Sequence, residues 1–530
     1  MATPSEKLAG SLAALQALQH AHGAGAIRAR DLSRTHRERL LANGFLQEVV
    51  KGWYIATRPN ETQGDSTAWY ASFWNFVAAY LESRFRKNWS LSPEQSLSLH
   101  AGNWSVPQQL LIRSPRGGNN VTSLRHGTSL LDIRAALPAT ADRQQKESLR
   151  VFSIESALID AAPSYFARHS TDARVALASV RDASGLLARL LEGGHSTIAG
   201  RLAGAFRNNG QPAIADDVVE TMTAAGYDVR ESDPFIDHPA LVLRSREASP
   251  YANRVRLLWE KMRAAVVERF PRAPGLPKDV SSYMKRVEEA YVADAYHSLS
   301  IEGYHVSPDL IERVRSGAWN PDADIHDREQ RNAMAARGYF QAFQAAEKSI
   351  RKMLAEQNPG KVARDDHRTW YREMFAPSVT AGLLRPADLA GYRNGQVYIR
   401  QSKHVPMNVE AVRDAMPVFF DLLADEPDAG VRIVLGHFVF VYIHPYMDGN
   451  GRMGRFLMNT MTAAGGYPWT VIPLSERKTY MDALEDASVR DNIAPFADFL
   501  ASLVSKRLAG APTSSAYLYY PWAAKVGKAG

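Results

Sequence analysis

The chain is predicted to be multidomain: an N-terminal winged helix-turn-helix domain, a middle α+β domain, and a C-terminal, mainly α domain interrupted by a β-hairpin. Three observations predict this. Its 530 residues exceed what one domain of ~100–200 residues holds. The hydrophobic period changes along the chain, from helices followed by a hairpin, through a mixed stretch, to an almost unbroken helical pattern between 251 and about 510. One stretch inside that helical part, HPYMDGNGRMGR at 444–455, breaks the pattern with glycines and regularly spaced arginines. The expected boundaries are 1–60, 61–245 and 246–510, followed by a tail at 511–530.

Composition narrows the class. With 45% apolar and 22% charged residues the chain has the makeup of a globular protein. A net charge of +7 and a pI near 9.3 permit a polyanionic partner without requiring one. The absence of cysteine excludes disulfides, thiolate metal sites and cysteine nucleophiles. The first residues lack a basic segment followed by a clean apolar core, so no signal peptide is expected. The longest apolar run, 431–443, is broken by Arg432, Gly436 and His437 and is too short to span a bilayer. A cytoplasmic protein with no membrane segment is the expectation.

In the first domain, leucines and alanines at 5–20 have helical spacing. A short helix, a turn at Ser33 and a helix over 34–42 follow, with Asn43-Gly44 closing the helix. FLQEVV and GWYIA then read as two strands meeting near Lys51-Gly52. Arg34, Thr35 and Arg37 would open a recognition helix and Lys51 would tip the wing, which makes DNA a candidate partner; a solvated basic face is the plain alternative. These sixty or so residues resemble the winged domains of abortive-infection-type antitoxins and related regulators. The middle domain loosely resembles the segment that follows in those proteins. It shows strand-like QQLLIRSP and LRVFSI, helical stretches at 153–168, 174–192 and 194–208, and four tryptophans, Trp69, Trp74, Trp89 and Trp104, suited to a core. A seam is expected over 233–250.

The third domain reads as helices at 252–270, 281–300, 307–317, 327–355, 365–381, 408–424, 428–443, 451–464, 475–487 and 493–508. Between them, YRNGQVYIRQSKHVPMN at 392–408 couples Asn394-Gly395 to alternating apolar residues and so predicts the hairpin.

The chemistry concentrates at 444–455. Pro445 ends the apolar helix and leaves His444 at its rim. Asp448-Gly449-Asn450-Gly451 is a tight loop whose glycines permit close backbone approach. The helix that follows presents free N–H groups, and Arg452 and Arg455 lie one turn apart on one face. Arginines at a helix N-terminus oppose its dipole, a local cost that an anion would offset. Together these features suit a di- or triphosphate, with Asp448 placed for Mg²⁺ and His444 for general-base work. A calcium loop is rejected because arginines stand where further acidic ligands are needed.

HPYMDGNGRMGR resembles the Fic family motif H-P-F-x-[D/E]-G-N-G-R-x-x-R, with Tyr446 replacing phenylalanine as an anchoring aromatic. The resemblance extends over about 251–510. It implies a Mg²⁺- and ATP-dependent protein adenylyltransferase that moves AMP to a Ser, Thr or Tyr hydroxyl of a target protein. His444 would deprotonate the hydroxyl and Asp448 would hold Mg²⁺. Gly449, Asn450 and Gly451 would form the anion hole, while Arg452 and Arg455 would hold phosphates. Kinase-like relatives carry lysine within this loop, so the intact G-N-G favours nucleotidyl transfer. Tyr480 would line the adenine pocket. The hairpin, through Val397, Tyr398 and Ile399 with His404 and Pro406, would dock the target backbone; an ordinary surface hairpin is the alternative.

SLSIEG at 298–303 resembles the family's inhibitory motif [S/T]-x-x-x-E-[G/N], matched by Ser298, Glu302 and Gly303. If Glu302 pairs with Arg455, it occupies a γ-phosphate donor. Such a bond is worth about 1.5–3 kcal/mol, roughly one to two decades in a binding constant. That implies ATP held in a poor pose rather than excluded. The same site could run AMP removal. Relatives also suggest a homodimer, although no residue here defines an interface. The reading from another class is a DNA-binding or antitoxin-like regulator in which the C-terminal domain is regulatory. A degenerate scaffold is disfavoured because no chemical position of the motif is missing.

Overall fold

The computed structural model describes residues 3–22, 26–59, 65–235, 249–319 and 330–511. Most of the expected seam and nearly all of the tail therefore lie outside the described residues. The chain divides into two compact units, Met1–Arg254 with Val397–Met407, and Val255–Gln396 with Asn408–Gly530.

The first unit opens with α1 (Pro4–His22), β1 (Ile27–Arg28) and α2 (Arg34–Ala42). Ser33 caps α2 by accepting the His36 N–H at 3.2 Å, so the turn and helix start follow from one local hydrogen bond. Strands β2 (Leu46–Val50) and β3 (Trp53–Ala56) turn at Lys51-Gly52, where Gly52 takes φ +81°. With β1 they form an antiparallel sheet in the order β1-β3-β2. Leu15, Ile27, Leu32, Leu40, Leu46 and Tyr54 make its small core.

Helix α3 (Thr67–Phe85) follows, then β4 (Ser90–Leu91), α4 (Pro93–His100), β5 (Gln109–Ser114), β6 (Asn120–Ser123) and β7 (Ser129–Arg134). The sheet order is β4-β5-β7-β6, with only β5 and β7 parallel. A hairpin, β8 (Arg143–Lys146) and β9 (Leu149–Phe152), leads into α5 (Ile154–Asp160), α6 (Pro163–Arg168), α7 (Ser170–Ala178), α8 (Ser184–Gly193), α9 (Ser196–Asn208) and α10 (Pro212–Ala224). These helices close around one apolar cluster that includes Phe152, Phe166, Leu190 and Phe206. All four tryptophans expected in the core are buried.

The hairpin expected at 392–408 is absent: no strand occurs there. The β-forming residues are present, but the backbone finds other partners. Lys403 O accepts from Val106 N at 2.9 Å, Gln401 N donates to Thr67 Oγ1 at 3.0 Å, and Arg400 pairs with Asp65 at 3.2 Å. Gln401 also adopts φ +60°, which interrupts an extended run. The segment is an irregular loop, of which Val397–Met407 belongs to the first unit.

The second unit is helical: α11 (Pro250–Arg269, its first residues in the first unit), α12 (Val280–Ile301), α13 (Pro308–Ser316), α14 (Gln330–Leu354), α15 (Pro359–Thr380), α16 (Val409–Asp425), α17 (Ala429–Ile443), α18 (Asn450–Ala464), α19 (Arg477–Arg490) and α20 (Ala494–Leu508). Helix α17 is apolar nearly all round and buried, as a central helix must be. Asp428 fixes its start by accepting the Val431 N–H at 2.9 Å.

Candidate active site

The end of α17 sets the geometry. His444 caps the helix in a left-handed conformation (φ 55°, ψ 61°), and its N–H donates to Phe440 O at 3.1 Å. Its Nδ1 lies 3.1 Å from Val441 O. A carbonyl can only accept, so Nδ1 carries the proton and Nε2 keeps a lone pair for a substrate proton. Enclosure by the protein pushes this imidazole down to about 4, leaving it neutral near pH 7.

Arg393, which has no local sequence signal, fixes the strained turn. Its Nε donates to His444 O at 2.9 Å, its N–H to Pro445 O at 2.8 Å and its Nη1 to Gly395 O at 3.1 Å. Tyr446 is fully buried and stacks face to face on Tyr371, centroids 3.8 Å apart at 7°. Asn450 locks the loop from within: its Oδ1 accepts from Tyr446 N at 2.9 Å and its Nδ2 donates to Tyr446 O at 2.8 Å. Its side chain thus holds the loop, and the amide groups of the helix start are left for an anion.

Gly449 precedes α18 at φ +81°, and a Cβ there would lie 2.8 Å from Phe375. Asp448 is exposed beside this helix start and contacts Arg452 at 3.3 Å. An exposed carboxylate next to an anion-binding N-terminus suits Mg²⁺, which takes one or two carboxylates and completes its shell with phosphate and water. Among the described residues there is no cluster of three or more His, Asp or Glu that could hold a metal by itself.

Arg455 is buried and held by α12 through Nε and Nη2, while its Nη1 has no hydrogen-bond partner. Its Nε donates to Ser298 Oγ at 2.8 Å, and its Nη2 to Ser298 O at 3.1 Å and Glu302 Oε1 at 2.7 Å. Burial opposes its charge, but the Glu302 carboxylate outweighs this and raises its pKa. Gly303 takes φ +86°, and Tyr304 N returns to Leu299 O at 3.1 Å, so a left-handed glycine ends α12 and sets the turn that carries Glu302.

The other expected site residues are placed as follows. Tyr480 lies buried against α17, sharing a 2.8 Å hydrogen bond with His437. Val397 and Ile399 are half-buried, Tyr398 is exposed, and His404 and Pro406 are buried, all in the loop assigned to the first unit. In that unit Arg34, Thr35 and Lys51 are exposed, Arg34 pairing with Glu38 at 2.6 Å. Arg37 is half-buried and donates to Ala29 O at 2.7 Å. No helix among the described residues is long and apolar enough to cross a membrane.

Residues 348–462 match the Fic/DOC family. A protein adenylyltransferase Fic from Nematostella vectensis is 28% identical over 278 residues, covering 52% of this chain and 60% of the relative. Its counterpart from Culex quinquefasciatus is 28% identical over 313 residues, covering 56% and 58%. The chain thus spans less than two thirds of the length of these relatives. Among solved structures, Fic-1 (aa134–508) from C. elegans aligns at 20% identity with a TM-score of 0.35, covering 65% of this chain and 99% of that one. A Fic domain containing signaling protein from Bacteroides thetaiotaomicron aligns at 16% identity and 0.33, covering 48% and 96%. Residues 348–462 are thus similar to the Fic/DOC family, and about half of the chain is similar to protein adenylyltransferases.

Proposed function

We propose that the chain is a Mg²⁺–ATP-dependent protein adenylyltransferase restrained by its own Glu302. The observation that carries this reading is the hydrogen bond between Glu302 and Arg455 at 2.7 Å, at the start of a helix whose preceding turn holds a neutral imidazole with its Nε2 lone pair available. In the forward reaction His444 Nε2 takes the proton of a target Ser, Thr or Tyr hydroxyl. The hydroxyl oxygen bonds to the α-phosphorus, and the bond from that phosphorus to pyrophosphate breaks. The N–H groups at the start of α18 and the Arg452 guanidinium meet the negative charge on the phosphates. Asp448 would hold Mg²⁺, which when bound neutralises phosphate charge. Arg455 would take the γ-phosphate once Glu302 leaves it. The same atoms serve AMP removal if Glu302 orients a water.

The loop at 397–407 would receive the target, with exposed Tyr398 as its contact and buried His404 and Pro406 as its anchors. A homodimer and DNA are further candidate partners. DNA is favoured by one local arrangement: Arg34 and Thr35 open α2 as exposed residues, and Lys51 is exposed at the β2–β3 turn. A winged helix-turn-helix would use those positions. Loss of salt-dependent DNA affinity in Arg34→Ala and Arg37→Ala, with transfer intact, would establish that role.

The test of the main reading compares wild type, Glu302→Gly and His444→Ala, with ATP labelled at the α- or the γ-phosphate and a cell lysate as target source. Transfer of α-label, strongest in Glu302→Gly and absent in His444→Ala, is expected. Transfer of γ-label would instead make the protein a kinase. No transfer of either label would sink the reading and favour the DNA-binding one.

A further inference from the structure

Arg452 is 1% exposed, yet its guanidinium is held mainly by rings rather than by hydrogen bonds. Its centre lies 5.1 Å from the centroid of Tyr304 and 5.0 Å from that of Phe375. Its Nη2 contacts Asp448 Oδ2 at 3.3 Å, and its buried Nε has no hydrogen-bond partner. A donor left unpaired in a buried position is costly unless something binds there. Tyr304 is no accident of a mobile loop. It follows Gly303 in the turn that ends α12, and its N–H closes that turn on Leu299 O at 3.1 Å. On α14, Arg331 lies 5.6 Å from the same Tyr304 ring.

Rings over a guanidinium attract its charge without consuming its in-plane N–H donors. We propose that Tyr304, together with Phe375, is a positioning residue that clamps Arg452 so that its edge donors face the polyphosphate of a nucleoside triphosphate. This rests on the adenylyltransferase reading above and deepens it. One short turn then governs both arginines of the site: Glu302 withholds Arg455, while Tyr304 readies Arg452. Release of the brake must move the glutamate and leave the tyrosine ring in place.

The test is made in the Glu302→Gly background, with Tyr304→Phe, Tyr304→Leu and Tyr304→Ala. Equilibrium binding of Mg²⁺–ATP is measured beside kcat and KM for transfer of α-label. A cation–π contact at such a partly buried site corresponds to about a ten-fold change in affinity. The clamp predicts that Tyr304→Phe keeps Kd and KM within two- to three-fold of the parent, while Leu and Ala each raise both about ten-fold. Leucine fills much of the space but offers no ring face, so a leucine variant that binds like phenylalanine reduces Tyr304 to packing and overturns the proposal. A Tyr304→Ala change that by itself, with Glu302 intact, raises transfer would also overturn it, by making the ring part of the brake. If Glu302→Gly transfers no label while the Tyr304 series still shows the ten-fold pattern in Mg²⁺–ATP binding, the reaction assignment fails and the clamp stands.

Discussion

Gly451 and Glu302 fit each other by the absence of an atom: a Cβ on Gly451 would stand 2.2 Å from Glu302 Oε1, the oxygen that accepts the Arg455 hydrogen bond. The Glu302 carboxylate can thus sit on Arg455 in this position only if position 451 is bare. Gly451 lies inside a helix, so this glycine is explained by the approach of a side chain rather than by backbone conformation.

Gly451→Ala should therefore displace the Glu302 carboxylate from Arg455. The atom that must move is the far end of a flexible side chain, so the fold should tolerate the change, and alanine favours the helix by about 1 kcal/mol over glycine. Transfer of α-label should rise toward the level of Glu302→Gly. Combining the two substitutions should add nothing. A double variant much slower than Glu302→Gly alone would mean that the methyl group intrudes on the phosphates instead.

Tyr446→Phe should leave stability unchanged or raise it. The Tyr446 ring is fully buried on Tyr371, but its hydroxyl is buried without a hydrogen-bond partner. Removing an unsatisfied hydroxyl while keeping the stack relieves a penalty of about 1–3 kcal/mol, less whatever packing the oxygen supplied. Thermal unfolding decides it, and a clear fall in Tm would reveal a partner for that hydroxyl in solution.

Much of the helical second unit was legible in the sequence because its punctuation is local. Asp428, Pro445 and Gly449 start and stop helices through neighbours a few residues away, and α18 begins at Asn450, one residue from the expected start. The supposed hairpin failed for the opposite reason. Its V-Y-I alternation is real, but Val106 and Thr67, some 300 residues earlier, take the backbone groups a second strand would need. Arg393 and Phe375 were equally invisible, since nothing around them in sequence points to His444 or Arg452. Tyr304 lies two residues past Glu302, but the guanidinium groups its ring faces belong to Arg331 on α14 and Arg452 on α18, which no local pattern connects to it.

The acid limb of kcat/KM for Mg²⁺–ATP should lie well below the ordinary histidine value. This profile reports the free enzyme and the free substrate. Enclosure lowers His444 from 6.5 to about 4, so the imidazole stays neutral, and able to accept a proton, as pH falls from 8 to about 5. In the Glu302→Gly variant, corrected for the titration of ATP itself, kcat/KM should be flat over that range. A midpoint near 6.5 assigned to His444 would show that the imidazole is solvated in the working enzyme.

Asp294 should make the fold less stable as pH rises from 4 to 7. It is buried on α12, one turn before Ser298, and accepts the Tyr339 hydroxyl bond at 2.6 Å. Burial raises its pKa from 3.8 to about 6, opposed by the hydrogen bond from Tyr339 and by the charge of Arg455. A folded-state pKa above the unfolded one means that the folded form binds the proton more tightly. Its contribution is therefore complete below the unfolded pKa near 3.8 and is lost as pH rises through about 6. A shift of that size corresponds to at most about 3 kcal/mol. Asn cannot titrate and still offers Tyr339 an acceptor, so Asp294→Asn should gain on wild type in Tm steadily between pH 4 and 7. Parallel Tm curves for the two proteins would show that Asp294 keeps the same charge folded and unfolded. The difference, if found, would mean that the helix presenting Ser298 and Glu302 to Arg455 carries a built-in charge cost near neutral pH.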